Sequence, residues 1–266
     1  MMTMTGIERI EGSLRLLLQE KEIIARCELL LRTYEAVRAA SLSDQEKEEL
    51  HKLVGGKAGA PGIFASMMNG APVFLNLPKI DTYTQMNGRI FHFLHTQKYN
   101  RQDFDRANRL FSAALPELKG IMRQNLADLV ADFMAQAGYR FVDERQERLT
   151  FAAGERRLRV QVFTSIKSVD IEKCLSEKSP PEKRPAEQEG DCVILVPSGE
   201  SLEPFVQFFR EKGGAAEEAG LQIWIANMEK GTIDPFIGYT TDLDIYEQFN
   251  NPRLAEMVRT NWSARE

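Results

Sequence analysis

The run Cys192–Val196 (CVILV) is the strongest constraint on the fold. Five consecutive apolar residues ahead of Pro197 leave no polar face, so they read as a strand buried inside a sheet. Leu221–Ala226 (LQIWIA) predicts a second such strand. Between them Ser201 is placed to cap a helix, with Pro204 near its start, and Gly213-Gly214 to end or interrupt it. Upstream, residues 139–144, 147–153 and 157–163 predict three short strands with tight turns at Arg145-Gln146 and Gly154-Glu155. In the third, Leu158, Val160 and Val162 point one way, and Arg157, Arg159, Gln161 and Phe163 the other. A helix over 121–137 leads in, closed by Gly138. A short helix is expected over Val169–Leu175, and two more over 243–262 with Asn251 capping and Pro252 at the first position.

The first part of the chain reads as helical. Ile7, Ile10, Leu14, Leu17, Ile24, Cys27, Leu31 and Tyr34 form one stripe at helical spacing, with Lys21 in its widest gap. This predicts a long helix over 7–39 and, from the size of the stripe, a homodimer through residues 1–40. Ser43 and Glu46 fit a capping box for a charged helix over 44–54. Residues 55–88 are too apolar for a linker and read as an irregular packed segment. Residues 89–99 fit a strand or a helical turn. Asp103 starts a further helix that Pro116 is expected to end. The expected organisation is a mainly helical domain over 1–120 and an α/β domain over 121–266. Residues 177–190, with three prolines and mostly charges, are expected to be a mobile loop in the second.

Charge narrows the function. The chain of 266 residues carries 34 basic and 39 acidic side chains. Residues 1–120 hold 16 and 14 of these, net +2; residues 121–266 hold 18 and 25, net −7. No overall basic surplus exists for tight, sequence-independent nucleic-acid binding, although a local patch is compatible with any net charge. No apolar run reaches the length of a spanning helix. Cys27, Cys174 and Cys192 form no CxxC pair, which suits a reducing cytoplasm.

Familiar chemical motifs fail on inspection. GGKAG at 55–59 follows a helix and has Ala58 where a phosphate loop needs a hydroxyl. His92 and His95 lack a third ligand at a suggestive spacing, and no metal or cofactor is expected. VPSGE at 196–200 lacks both glycines of a nucleophile elbow.

The element order from 121 onward is helix, three antiparallel-looking strands, helix, strand, helix, strand. With NLADLVADFMAQAGYRF, RRLRVQVF and VILVPSGESLEPFVQFFREKGGAAEEAGLQIWI, it resembles the PD-(D/E)XK restriction-endonuclease-like fold, in its Mrr-type branch, over roughly residues 121–230. The resemblance implies a central mixed sheet for the second domain, and with the helical N-terminal region the expected fold class is α+β. It also implies an Asp on the second strand and a Glu or Gln on the third as metal ligands, with a Lys two positions later to orient water. Gln161 stands at the Glu/Gln position, Phe163 at the Lys position, and RLTFAA offers no Asp. The expectation is a non-catalytic binding protein whose Arg157, Arg159, Gln161 and Lys167 face nucleic acid, weakly. The alternatives are a metal-dependent nuclease using Lys167 and Glu155, or a protein-interaction module built on the N-terminal helices.

Overall fold

A computed structural model describes residues 5–56, 59–69, 80–86, 89–95, 97–145, 148–176, 191–199 and 201–263. The protein is α+β and divides into two compact units, Met1–Met122 and Arg123–Glu266.

In the first unit, Thr5 and Glu8 form a reciprocal capping box that opens α1 (Gly6–Glu20). The expected helix over 7–39 does not continue. The chain turns extended at Lys21, forms β1 (Ile23–Ala25), and re-enters a helix as α2 (Arg26–Ala40). Two forces break it. Ile23–Ala25 pair antiparallel with Phe93–His95, and Lys21 turns to the buried carboxylate of Glu28. The gap in the stripe at Lys21 was the trace of this break.

The capping box at Ser43 and Glu46 opens α3 (Asp44–Leu53), and Gly55 and Gly56 at φ +70° and +96° follow it. The segment read as irregular contains α4 (Ala60–Met68) and β2 (Ile80–Met86); residues 70–79 lie outside the described residues. Residues 89–95 settle as a strand, β3 (Arg89–His95). Together β1, β3 and β2 form an antiparallel sheet in that order, which an all-helical reading of this part omits. Ile10, Leu14, Ile24, Leu31 and Tyr34 are buried in this unit. Ile7 and Leu17 of the same stripe are half-buried, and Cys27 is exposed. Among the described residues 5–40, Leu16 is the large apolar side chain left exposed.

One helix, α5 (Arg101–Gln136), replaces the two expected on either side of Pro116. Asn100 and Asp103 cap it reciprocally. Proline removes one helical hydrogen bond and crowds the preceding turn. Burial on both sides, at Phe111 and Leu118 and again at Leu126 and Val130, keeps the helix intact. Its end is a Schellman motif: Tyr139 N–H donates to Met134 O at 2.8 Å and Gly138 N–H to Ala135 O at 3.0 Å, with Gly138 at φ +78°.

The second unit is built on a six-stranded mixed sheet in the order β4-β5-β6-β7-β8-β9. The strands are Arg140–Arg145, Arg148–Ala153, Arg156–Val162, Asp191–Pro197, Gln222–Asn227 and Thr232–Ile237. The first three form an antiparallel meander; β6, β7 and β8 run parallel; β9 returns antiparallel. The sequence reading missed β9. It contains Pro235, which an edge strand tolerates and an interior one does not. The short helix expected over Val169–Leu175 is α6 (Ile171–Ser176), preceded by a 3-10 turn (Ile166–Ser168). Helix α7 (Leu202–Glu218) runs through Gly213-Gly214. A Cβ at Gly213 would lie 3.2 Å from the Phe209 ring, so this glycine serves close packing, not termination. Short α8 (Leu243–Tyr246) and α9 (Leu254–Ser263) close the unit; Asn251 and Pro252 sit in the turn before α9, not at its cap. The segment 177–190 lies outside the described residues.

Residues opposite each other in neighbouring strands share a face of the sheet. One face is mostly apolar: Leu149, Phe151, Leu158, Val160, Val193 and Trp224 are buried, and Trp224 packs edge-on against Phe133 of α5 and Phe249. The opposite face changes character along the sheet. Over β7–β9 it presents Ile194, Val196 and Ile223, packed with Val169, Phe205, Phe208 and Val258 from the overlying segments. Over β4–β6 it is polar.

Candidate nucleic-acid interface

The polar face is written in the register. Arg157, Arg159 and Gln161 of β6 stand opposite Ala152, Thr150 and Arg148 of β5. Those in turn stand opposite Arg140, Asp143 and Arg145 of β4. Among the described residues of these strands, this face thus gathers Arg140, Arg145, Arg148, Arg157 and Arg159 against one carboxylate, Asp143. Their alternate neighbours Leu149, Phe151, Leu158 and Val160 are buried on the other side, which fixes the register and so the arginines' direction.

Arg145 and Arg148 are directly opposite. Such like-charge pairs destabilise a sheet by a few tenths of a kcal/mol to about 1 kcal/mol. The arrangement suits an anion that bridges them.

Residues 124–251 match a family model described as domain of unknown function (DUF6834), C-terminal domain. That stretch contains all six strands and the whole arginine face. No curated protein matches the chain.

The residues expected from sequence fare differently. Arg157 is exposed, and Arg159 and Gln161 are partly buried on the shared face. Gln161 marks its boundary: the Cys174 thiol of α6 donates to Gln161 Oε1 at 3.5 Å. Lys167 is exposed in the 3-10 turn beyond the end of β6 and belongs to no strand. Arg156, next to Arg157, points to the other side and is committed there. Its guanidinium bonds Asp242 at 2.6 Å and Asp244 at 2.9 Å and lies over the Tyr139 ring.

Sequence reasoning missed Arg140, Arg145 and Arg148. For Arg148 the signal was present in RLTFAA, where Leu149 and Phe151 alternate with Arg148, Thr150 and Ala152. For Arg145 it was hidden by a β-bulge between Phe141 and Asp143.

The residues offered for metal catalysis do not converge. Glu155 lies in the turn before β6 and Gln161 near its far end, six residues or about 20 Å along an extended strand. Phe163, at the position where the resembled family places lysine, packs against the apolar core. Among the described residues, no group of three His, Cys, Asp or Glu side chains is arranged to hold a metal ion.

His95 is held in the fold, while His92 and His51 are exposed. His92 is exposed and His95 buried, as opposite faces of β3 require. His95 Nδ1 lies 2.6 Å from Gln97 O and must donate to it; Nε2 lies 2.7 Å from Thr82 Oγ1. Among the described residues, no helix is long and apolar enough to cross a membrane.

Proposed function

We propose that the second unit is a non-catalytic nucleic-acid-binding module that engages the phosphate backbone through the arginine face of β4–β6. The observation that carries this reading is the register itself: five arginines and one carboxylate on a rigid sheet face, with Arg145 and Arg148 directly opposed. Guanidinium groups present paired donors suited to phosphate oxygens, and phosphate neutralisation supplies most sequence-independent affinity. The order of elements supports the resemblance to the restriction-endonuclease-like fold: α5, an antiparallel meander, then parallel β7 and β8 joined by α7. The separation of Glu155 from Gln161 and the packing of Phe163 favour binding over cleavage.

Five arginines set an upper limit on the salt dependence. At about −0.9 per phosphate contact, log K against log salt has a slope no steeper than about −4.5 for duplex. The test is fluorescence anisotropy with a labelled oligonucleotide at low salt. The wild type is expected to bind, and the Arg157→Glu/Arg159→Glu double variant to lose binding with an unchanged circular dichroism spectrum. Absence of binding by the wild type, or equal binding by the double variant, overturns the reading.

A further inference from the structure

The bulge in β4 does more than bend an edge strand. Strict alternation from Arg140 would place Val142 and Glu144 on the polar face, and Asp143 and Arg145 on the apolar one. The register shift inserts Val142 as an extra residue. Asp143 then stands opposite Thr150, Glu144 opposite Leu149, and Arg145 opposite Arg148. A net-neutral row, Arg140-Val142-Glu144, is exchanged for Arg140-Asp143-Arg145. Bulges re-aim side chains in this way beside functional sites.

The two re-aimed residues are joined. Arg145 Nε forms an ion pair with Asp143 Oδ2 at 2.8 Å, with the Arg145 side chain 85% exposed and that of Asp143 33%. The contact occupies the inner edge of the guanidinium and leaves its outer edge, the terminal amino groups, for a ligand.

We infer that Asp143 is a positioning residue. It holds Arg145 through Nε so that the terminal amino groups form a fork for a backbone phosphate, on the face proposed above to bind nucleic acid, and this inference rests on that reading. The carboxylate costs some attraction for a polyanion. It offsets this by ordering a long side chain before the phosphate arrives.

The two effects have opposite signs, which makes the inference testable. If Asp143 were only a negative charge on a basic face, Asp143→Asn would tighten binding. As a positioning residue its loss weakens binding, by about fivefold for one ordered hydrogen-bonding group, and reduces the salt slope by about 0.9. Arg145→Lys keeps the charge but has neither the Nε nor the fork of terminal amino groups, and is expected to lose a similar amount. In the Arg145→Lys background, Asp143→Asn has no guanidinium to release, so there it tightens binding.

The probe is one labelled duplex of fixed length, titrated in anisotropy at several salt concentrations, with thermal melting of each variant alongside. The expected result is weakening in the first background and tightening in the second. If the wild type binds and loses binding in Arg157→Glu/Arg159→Glu, yet Asp143→Asn binds equally or more tightly, the positioning role is overturned while the binding reading stands. Weakening of equal size in both backgrounds also overturns it, since Asp143 would then act independently of Arg145. No binding by the wild type sinks both.

Discussion

The Tyr139 hydroxyl donates to the Asp242 carboxylate at 2.5 Å, joining residues 103 positions apart. Tyr139 follows the end of α5, and Asp242 caps α8, accepting from the N–H groups of Asp244 and Ile245. Arg156 completes the cluster from the first residue of β6. Three separate stretches of the second unit are thereby tied at one point.

This cluster has a definite acid dependence. Burial alone would push the Asp242 carboxyl up; the Tyr139 hydroxyl, the backbone N–H groups and Arg156 together outweigh it and hold the group below its ordinary value. A depressed folded-state value contributes stability that is present above the unfolded carboxylate value, about 3.9, and lost as pH falls through the lower folded one. Tyr139→Phe is expected to cost about 1.5–3 kcal/mol near neutral pH, as for a hydrogen bond to a charged group. It also moves the Asp242 titration up, which carboxyl-resolved NMR would follow. An unchanged titration would show that Tyr139 does not hold the carboxylate.

Arg156 is predicted to matter for stability and not for binding. Arg156→Ala breaks its contacts to Asp242 and Asp244 and lowers the melting temperature. The salt slope of nucleic-acid binding stays that of the wild type, because Arg156 lies on the apolar side of β6. A slope reduced by about 0.9 would return Arg156 to the interface.

Two glycines with nearly equal backbone angles should respond unequally to alanine. Gly138 at φ +78° has nothing within 4 Å of an added Cβ, whereas Gly238 at φ +76° would place it 2.6 Å from the backbone oxygen of Leu221. Gly138→Ala carries only the left-handed backbone penalty of about 1–2 kcal/mol. Gly238→Ala carries that and a collision with a sheet backbone that cannot yield without displacing β8. Chemical denaturation of both variants checks the order; equal costs would mean that the backbone beside Gly238 relaxes freely.

Strands β5 to β8 were legible because their burial is one-sided or complete. Alternation in 156–162 and the unbroken run in 192–196 survive directly as β6 and β7. What escaped the sequence reading depends on partners distant along the chain. Ile23–Ala25 leave the helix to pair with Phe93–His95, which lie far along the chain. Strand β9 was not assigned from sequence, since Pro235 is acceptable in a strand at an edge alone. The arginine face was half visible: Arg157, Arg159 and Gln161 follow from alternation, while Arg145 reaches it through a bulge that no period of two predicts.

Pro116 offers the last prediction. It is exposed within α5, in a turn whose neighbours Phe111 and Leu118 are buried. The helix persists through it although proline supplies no N–H for the Ser112 carbonyl and its ring crowds that turn. Proline is about 3 kcal/mol less favourable than alanine in a helix interior. Part of that is returned through the stiffer unfolded chain, about 0.4–1 kcal/mol. Pro116→Ala is therefore expected to stabilise the first unit by about 2 kcal/mol and to leave nucleic-acid binding by the β4–β6 face unchanged. Denaturant unfolding followed by helical circular dichroism measures the first effect and anisotropy the second. A destabilised variant would mean that Pro116 shapes the helix in a way the packing of the first unit requires, and that the strain assigned to it is absent.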